Sequence, residues 1–198
     1  MQAEQAYAFF VFAVVAAITP GPSNVLLTAT GANVGVLRGI PALLGVCLGM
    51  ASMMFAVAFG LGAVILDHPA VLTVMKWAGA ALLLWLAWQI ATSKGGGAAV
   101  DSRPVGFVSA AAFQWVNPKA WLACASAAGT YLRADANGAL AQSLGFAALF
   151  AAATLPSGFV WLAFGTGLRR WLSSPQRMRA FNLAMGALLA ASVILFVA

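Results

Sequence analysis

Long apolar runs separated by short polar or charged stretches set the pattern of this chain. A helix needs about 20 apolar residues to cross the hydrocarbon layer of a bilayer. By that measure the sequence holds six candidate spans. The first runs from about Tyr7 to Thr28 and the second from about Ile40 to Leu66, with a short loop holding Arg38 between them. The third covers about Val71 to Thr92. Lys94-Gly95-Gly96-Gly97 and the stretch from Asp101 to Pro104 then read as a central linker, about 94–104. The fourth span covers about Phe107 to Leu132 and is followed by a polar turn from Arg133 to Gly138. The fifth runs from about Leu140 to Leu168, and the sixth from about Phe181 to the C-terminus.

Two of these spans are interrupted from within. Thr19-Pro20-Gly21-Pro22-Ser23-Asn24 breaks the first and Asn117-Pro118-Lys119 breaks the fourth. Proline removes a backbone donor and clashes with the preceding turn, so neither helix should be continuous there. Pro20 and Pro118 stand 98 positions apart in a chain of 198 residues. That spacing suits two halves, about 1–95 and 104–198, each opening with a broken helix within a single domain, 1–198. Three spans per half is an odd number, so the second half enters the membrane with opposite polarity. The expected fold is therefore an all-α integral membrane protein of six transmembrane helices, built as two inverted three-helix repeats with broken first helices. Such repeats place transport sites at the midplane, where the broken helices meet.

Composition supports the membrane assignment. Hydrophobic residues make up 63% and charged residues 7%, against roughly 25% charged in soluble domains, and the mean hydropathy is +0.96. A net charge of +6 is compatible with a nucleic-acid partner, but the basic residues lie between apolar runs without a basic, aromatic-interleaved patch. They read as topology signals instead. Arg38, Lys94, Arg103, Arg169, Arg170, Arg177 and Arg179 follow spans one, three and five, whereas the opposite side holds only Lys76 and Arg133. The positive-inside rule then puts those three loops in the cytoplasm and both termini outside, in a multi-pass inner (plasma) membrane protein. Glu4 is the only charge before Arg38, and without a basic n-region no cleaved signal peptide is expected.

The breaks carry the candidate chemistry. Freed N–H groups at a half-helix start favour an anion such as a carboxylate, and freed carbonyls favour an ammonium. Thr19, Pro20, Gly21, Pro22, Ser23 and Asn24, with Gln114, Asn117, Pro118 and Lys119, are therefore the expected binding residues for a zwitterion. A plain packing kink is the competing reading of either break taken alone. Lys119 is the one charge well inside a span, roughly 18 Å deep by helix rise, where a lysine is functional by default unless it snorkels. Gly35-x3-Gly39 and Gly45-x3-Gly49 suit close helix packing within one protomer, or else a homodimer face. Met50, Met53 and Met54 read as packing, and Trp77, Trp85 and Trp88 as part interfacial belt, part packing. His68 reads as a surface residue, and Pro156, with Thr154 and Ser157, as a further kink near the cavity.

Glu4, Asp67, Asp101 and Asp135 are the only carboxylates, all at or near span ends. Metal-binding, nucleophile-elbow and phosphate-loop motifs are missing, so no cofactor, no metal and no enzymatic activity are expected. Two further function classes stand beside the transporter. An ion or metal exporter or channel would need intramembrane ligands that the sequence lacks. A thiol relay through Cys47 and Cys124 would use two cysteines at non-equivalent positions of the halves, outside any Cys-x-x-Cys pair.

Thr19-Pro20-Gly21-Pro22-Ser23-Asn24, the glycine pattern from Gly31 to Gly49, and Gln114-Trp115-Val116-Asn117-Pro118-Lys119 together resemble the lysine-exporter/homoserine–threonine-exporter (LysE/RhtB) family of bacterial amino-acid efflux proteins. The segment from Trp77 to Ser93 is similar to its cysteine/O-acetylserine exporter branch. The resemblance covers essentially the whole chain. It implies secondary export of small amino acids or derivatives from the cytoplasm across the inner membrane, as a proton-motive-force-driven antiporter, with an amino-acid substrate and membrane lipid as partners. It points to Pro20, Gly21, Pro22, Asn117, Pro118 and Lys119 as the matched motif positions.

Overall fold

The computed structural model describes residues 3–61, 68–93, 105–132 and 139–197, which are helical throughout apart from their connections. The helices are α1 (Ala3–Ile18), α2 (Pro22–Ala56), α3 (Pro69–Ala91), α4 (Phe107–Val116), α5 (Pro118–Tyr131), α6 (Ala139–Leu168) and α7 (Pro175–Val197). A π-helical turn, Val57–Leu61, prolongs α2. Four helices begin at proline, where the missing N–H would have no helical partner and the fixed φ already suits the helix. The expected linker 94–104, the turn 133–138 and the end of the second span beyond Leu61 lie outside the described residues.

Within α2, Gly35 alone leaves helical geometry, at φ 82° and ψ 176°. A positive φ costs glycine nothing and a side-chain-bearing residue a good deal. The contacts show that the chain reverses there. A Cβ placed on Gly158 would lie 2.7 Å from Leu43 Cδ1 and 3.1 Å from Leu27 Cδ1, although those leucines would be about 24 Å apart along a straight helix. Gly31 and Gly39 likewise both face Leu162. The arms 22–34 and 36–56 thus form a hairpin about Gly35. This corrects two expectations. The loop holding Arg38 is one glycine long, and Arg38 is helical. Gly35 makes the turn, so only Gly39 of that pair is a packing glycine. The small faces of Gly39, Gly45 and Gly49 are filled within the chain, by Leu162, by Phe107 and Ala110, and by Ala111 and Gln114.

The halves meet element by element in antiparallel fashion. Arm 36–56 runs against α6, with Gly39 beside Leu162, Leu43 near Gly158, and the Cys47 thiol donating to Ala151 O at 3.5 Å. α3 runs against α7, where Gly186 abuts Ala87 and Ala91. α1 runs against α5, from Gln5 Nε2 donating to Tyr131 O at one end to Thr19 beside Lys119 at the break. Far from that first end, Asn33, Ser93 and Asn182 form a polar clasp. Asn33 and Asn182 exchange amide hydrogen bonds of 2.7 and 3.0 Å, Ser93 Oγ donates to Asn33 Oδ1, and Asn182 also donates to Ser93 O. Arg169 lies against Gly35 at the same end, so Gly35, Ser93 just after α3 and Arg169 just after α6 lie on one face.

α7 begins six residues before the expected Phe181. Ser174 Oγ accepts from Arg177 N at 3.2 Å, an N-terminal cap that starts the helix through Gln176, Arg177 and Arg179 although hydropathy alone passes over them. Ala139–Leu168, a helix of 30 residues, is long and apolar enough to cross a membrane, and the apolar stretch Pro22–Leu61 reaches that length only as two arms joined at Gly35. Trp77, Trp85, Trp88, Leu48, Leu122 and Phe164 are all exposed, a surface suited to lipid. The interior is aromatic near the start of α1, where Phe9 meets Phe146 edge-on at 4.5 Å with Phe150 and Tyr131 alongside. Met50, Met53 and Met54 pack in that same cluster, as expected.

The closest backbone approach links the first arm to α6. A Cβ on Gly31 would sit 2.1 Å from Leu162 O, and one on Gly165 would sit 2.0 Å from Thr28 O. Backbone cannot yield as a side-chain tip can. Gly31→Ala and Gly165→Ala are each expected to destabilise the protein by about 1–3 kcal/mol or more, the usual cost of overpacking. Gly129→Ala, with open space at its Cβ, should be neutral or slightly stabilising. Thermal unfolding in detergent micelles checks all three.

Candidate functional site

The two helix breaks, remote in sequence, face each other in space. α1 ends at Ile18 and its last carbonyls have no helical donors. Asn24, in the first turn of α2, supplies them. Its side-chain amide donates to Thr19 O at 2.8 Å, Ala17 O at 3.2 Å and Ile18 O at 3.5 Å. Trp161 Nε1 adds a donor to Ile18 O at 3.2 Å. The Lys119 ammonium reaches across from the second break to Thr19 O and to Pro20 O, the latter at 3.3 Å.

The second break is organised by Asn117. Its backbone is extended at φ −82° and ψ 114°, and its Oδ1 accepts from Lys119 N at 3.1 Å, capping α5. Its Nδ2 donates to Ser23 Oγ at 2.9 Å, and the Ser23 hydroxyl donates in turn to Gln114 Oε1 at 2.9 Å. Gln114 is fully buried and completes the chain by donating to Ala110 O. Three side chains therefore stitch the breaks together with no hydroxyl or amide wasted.

Lys119 sits in the first turn of α5, where the helix dipole disfavours a cation. It also sits at the carbonyl end of α1, where the dipole favours one. The lysine is therefore held by the first half and carried by the second. Gly21 makes room for it: a Cβ there would lie 2.6 Å from Lys119 Cδ and 3.0 Å from Nζ. The backbone of Gly21 is itself extended, with φ −176°, so the side chain it lacks matters more than the conformation it permits.

A small cavity of about 40 Å³ opens beside the breaks, enough for a few water molecules. Gly21, Ser23, Asn24, Gln114, Asn117 and Lys119 line it, and Leu27, Val46, Met50 and Phe150 supply apolar wall. The remaining expected site residues shape the breaks without lining the cavity. Thr19 turns its hydroxyl back to Val15 O, while Pro20, Pro22 and Pro118 set the backbone. Sequence reasoning missed the apolar wall and the Asn33–Ser93–Asn182 clasp. An asparagine within an apolar run was the available signal for the clasp. Cys47 and Cys124 are both buried free thiols. Among the described residues no group of three metal-ligating side chains gathers.

The family model described as LysE type translocator matches residues 14–198. The chain belongs to the LysE type translocator family. Curated relatives named cysteine/O-acetylserine efflux protein match at 36% identity over 128 residues in Salmonella paratyphi A, and at 30% over 185 residues in Escherichia coli strain K12. The Salmonella alignment covers 63% of this chain and 64% of the relative, so the chain spans less than two thirds of that relative's length. The Escherichia coli alignment covers 92% of each. No solved structure matches the chain. The sequence reading of a membrane transporter, and not an enzyme, agrees with membership of this LysE type family.

Asn24→Ala would remove the buried amide that the Ala17, Ile18 and Thr19 carbonyls share. A loss of about 1–3 kcal/mol is expected. Asn24→Asp, of the same shape but with acceptors where donors are needed, should be at least as harmful. Thermal unfolding of the purified variants tests both.

Proposed function

We propose that this LysE-type translocator is a secondary active exporter of small amino acids or their derivatives, of the kind that includes cysteine, O-acetylserine, threonine and homoserine, driven by the proton-motive force. The observation that carries the reading is the meeting of the two helix breaks around a cavity, with Lys119 bridging them. Zwitterion recognition follows from the chemistry gathered there. Lys119 offers a cation for the substrate carboxylate, and the carbonyls of Thr19 and Pro20 that it now satisfies offer acceptors for the substrate ammonium. A substrate carboxylate that draws the Lys119 ammonium away would free those carbonyls for its own ammonium group. Binding and loosening of the contact between the halves are then one event, which is what alternating access requires.

The antiparallel pairing of α1 with α5, of arm 36–56 with α6, and of α3 with α7 supports two inverted repeats of three spans, with α1 plus arm 22–34 and α4 plus α5 as the broken first helices. The placement of Gly35, Ser93 and Arg169 on one face supports the orientation read from Lys and Arg. That face is cytoplasmic in this reading, and both termini are outside. The names of the relatives favour cysteine and O-acetylserine within the substrate class.

Efflux of labelled cysteine, O-acetylserine, threonine, leucine and lysine from loaded vesicles, with and without an uncoupler, tests the proposal. Uncoupler-sensitive export of at least one small amino acid is expected. Lys119→Met should reduce it at least tenfold with the protein still folded, since both halves lose their shared cation. The double variant Cys47→Ser/Cys124→Ser should retain export. No export of any member of the panel would overturn the reading.

A further inference from the structure

We infer that Thr154 contacts the transported molecule and selects amino acids that carry a hydrogen-bonding group on a short side chain. The inference rests on the exporter reading above and assigns a residue outside both helix breaks. Thr154 lies on α6 and lines the cavity. It is only 5% exposed, and its Oγ1 is buried without a hydrogen-bond partner. Among the described residues the other buried side-chain polar atom in that condition is Gln5 Oε1, near the start of α1 and away from the cavity.

The vacancy is not what the local helix dictates. Threonine and serine within a helix commonly bond the carbonyl four residues back. Thr30 does so to Leu26 O at 2.8 Å, Ser143 to Ala139 O at 2.8 Å, and Thr166 to Leu162 O at 3.0 Å. Phe150 O stands in the equivalent place for Thr154, and no such bond forms. A buried hydroxyl without a partner is destabilising, and rotation about χ1 of a cavity-lining threonine lets its hydroxyl reach a polar group that enters the cavity.

The surroundings specify the ligand's chemistry. Leu27, Val46, Met50 and Phe150 make the neighbouring wall apolar. The charged and amide groups gather instead at the breaks, around Lys119 and Asn117. A zwitterion bound by its carboxylate and ammonium at the breaks would extend its side chain along the apolar wall, and Thr154 offers that side chain a hydroxyl. A thiol, hydroxyl or ester oxygen a few bonds from the α-carbon can accept or share this hydrogen bond. An alkyl group of the same size leaves Thr154 unsatisfied, so the site discriminates against it.

The test compares isosteric pairs: cysteine with 2-aminobutyrate, and homoserine with norvaline. Competition against export is measured in vesicles holding wild type, Thr154→Val or Thr154→Ser at matched folded amounts. Wild type should prefer the polar member of each pair. Thr154→Val, which keeps the shape and removes the hydroxyl, should lower that preference about tenfold, the worth of one hydrogen bond, while the alkyl members compete as well as before or better. Thr154→Ser should keep the preference. Equal loss for both members of a pair would make Thr154 a structural residue, and an unchanged preference would remove it from the site. Either outcome overturns the inference and leaves the exporter reading standing. Wild-type vesicles that export neither these compounds nor the wider panel would overturn both.

Discussion

An interrupted helix in an apolar interior must find partners for its freed backbone groups, and the rest of this structure depends on how that need is met. Water cannot supply them and neither can lipid. The chain meets the need twice over by bringing its two interruptions together. Asn24 and Lys119 satisfy the carbonyl end of α1, and Asn117 caps the start of α5. The first break draws donors from Lys119 and Trp161 of the second half, while the second caps itself through Asn117 and joins the first through the Asn117–Ser23 bond. That sharing explains why so few polar side chains suffice, and why most fall in two short stretches of sequence.

Holding the breaks face to face requires the surrounding helices to approach closely, and glycine makes that approach possible. Gly31 and Gly165 bring arm 22–34 and α6 into backbone contact, and Gly45 and Gly49 do the same for arm 36–56 and α4. Apolar burial gives little drive toward helix association inside a bilayer, so packing and interhelical hydrogen bonds have to supply it. The Asn33–Ser93–Asn182 clasp adds such bonds at the end of the molecule away from the start of α1. The site is thus held between a glycine-packed centre and a hydrogen-bonded end. The cavity occupies the remaining space, where the breaks prevent the helices from filling it.

The sequence by itself determined the class of the molecule, most helix positions and the two breaks. Those features are local: apolar run length, proline geometry and the isolation of Lys119 each act over a few residues. The span limits of α4, α5 and α6 could be read to within a residue or two. The reversal at Gly35 could not, because the residues on either side are equally helical and apolar, and only the shared contacts of Leu27 and Leu43 with Gly158 reveal the hairpin. The early start of α7 was hidden for the opposite reason, since its first turn is polar and held by the Ser174 cap.

Tertiary structure alone decided what Lys119 touches, which of the motif residues face the cavity, and which residues outside the motifs join them. Thr19, Pro20, Pro22 and Pro118 shape the breaks while Gly21, Ser23, Asn24, Gln114, Asn117 and Lys119 line the space. Leu27 follows the first break directly, but Val46, Met50, Phe150 and Thr154 come from elsewhere in the chain. No periodicity marks them, because a residue's neighbours across a cavity depend on how helices from both halves cross, and that crossing is set by packing between segments more than a hundred residues apart.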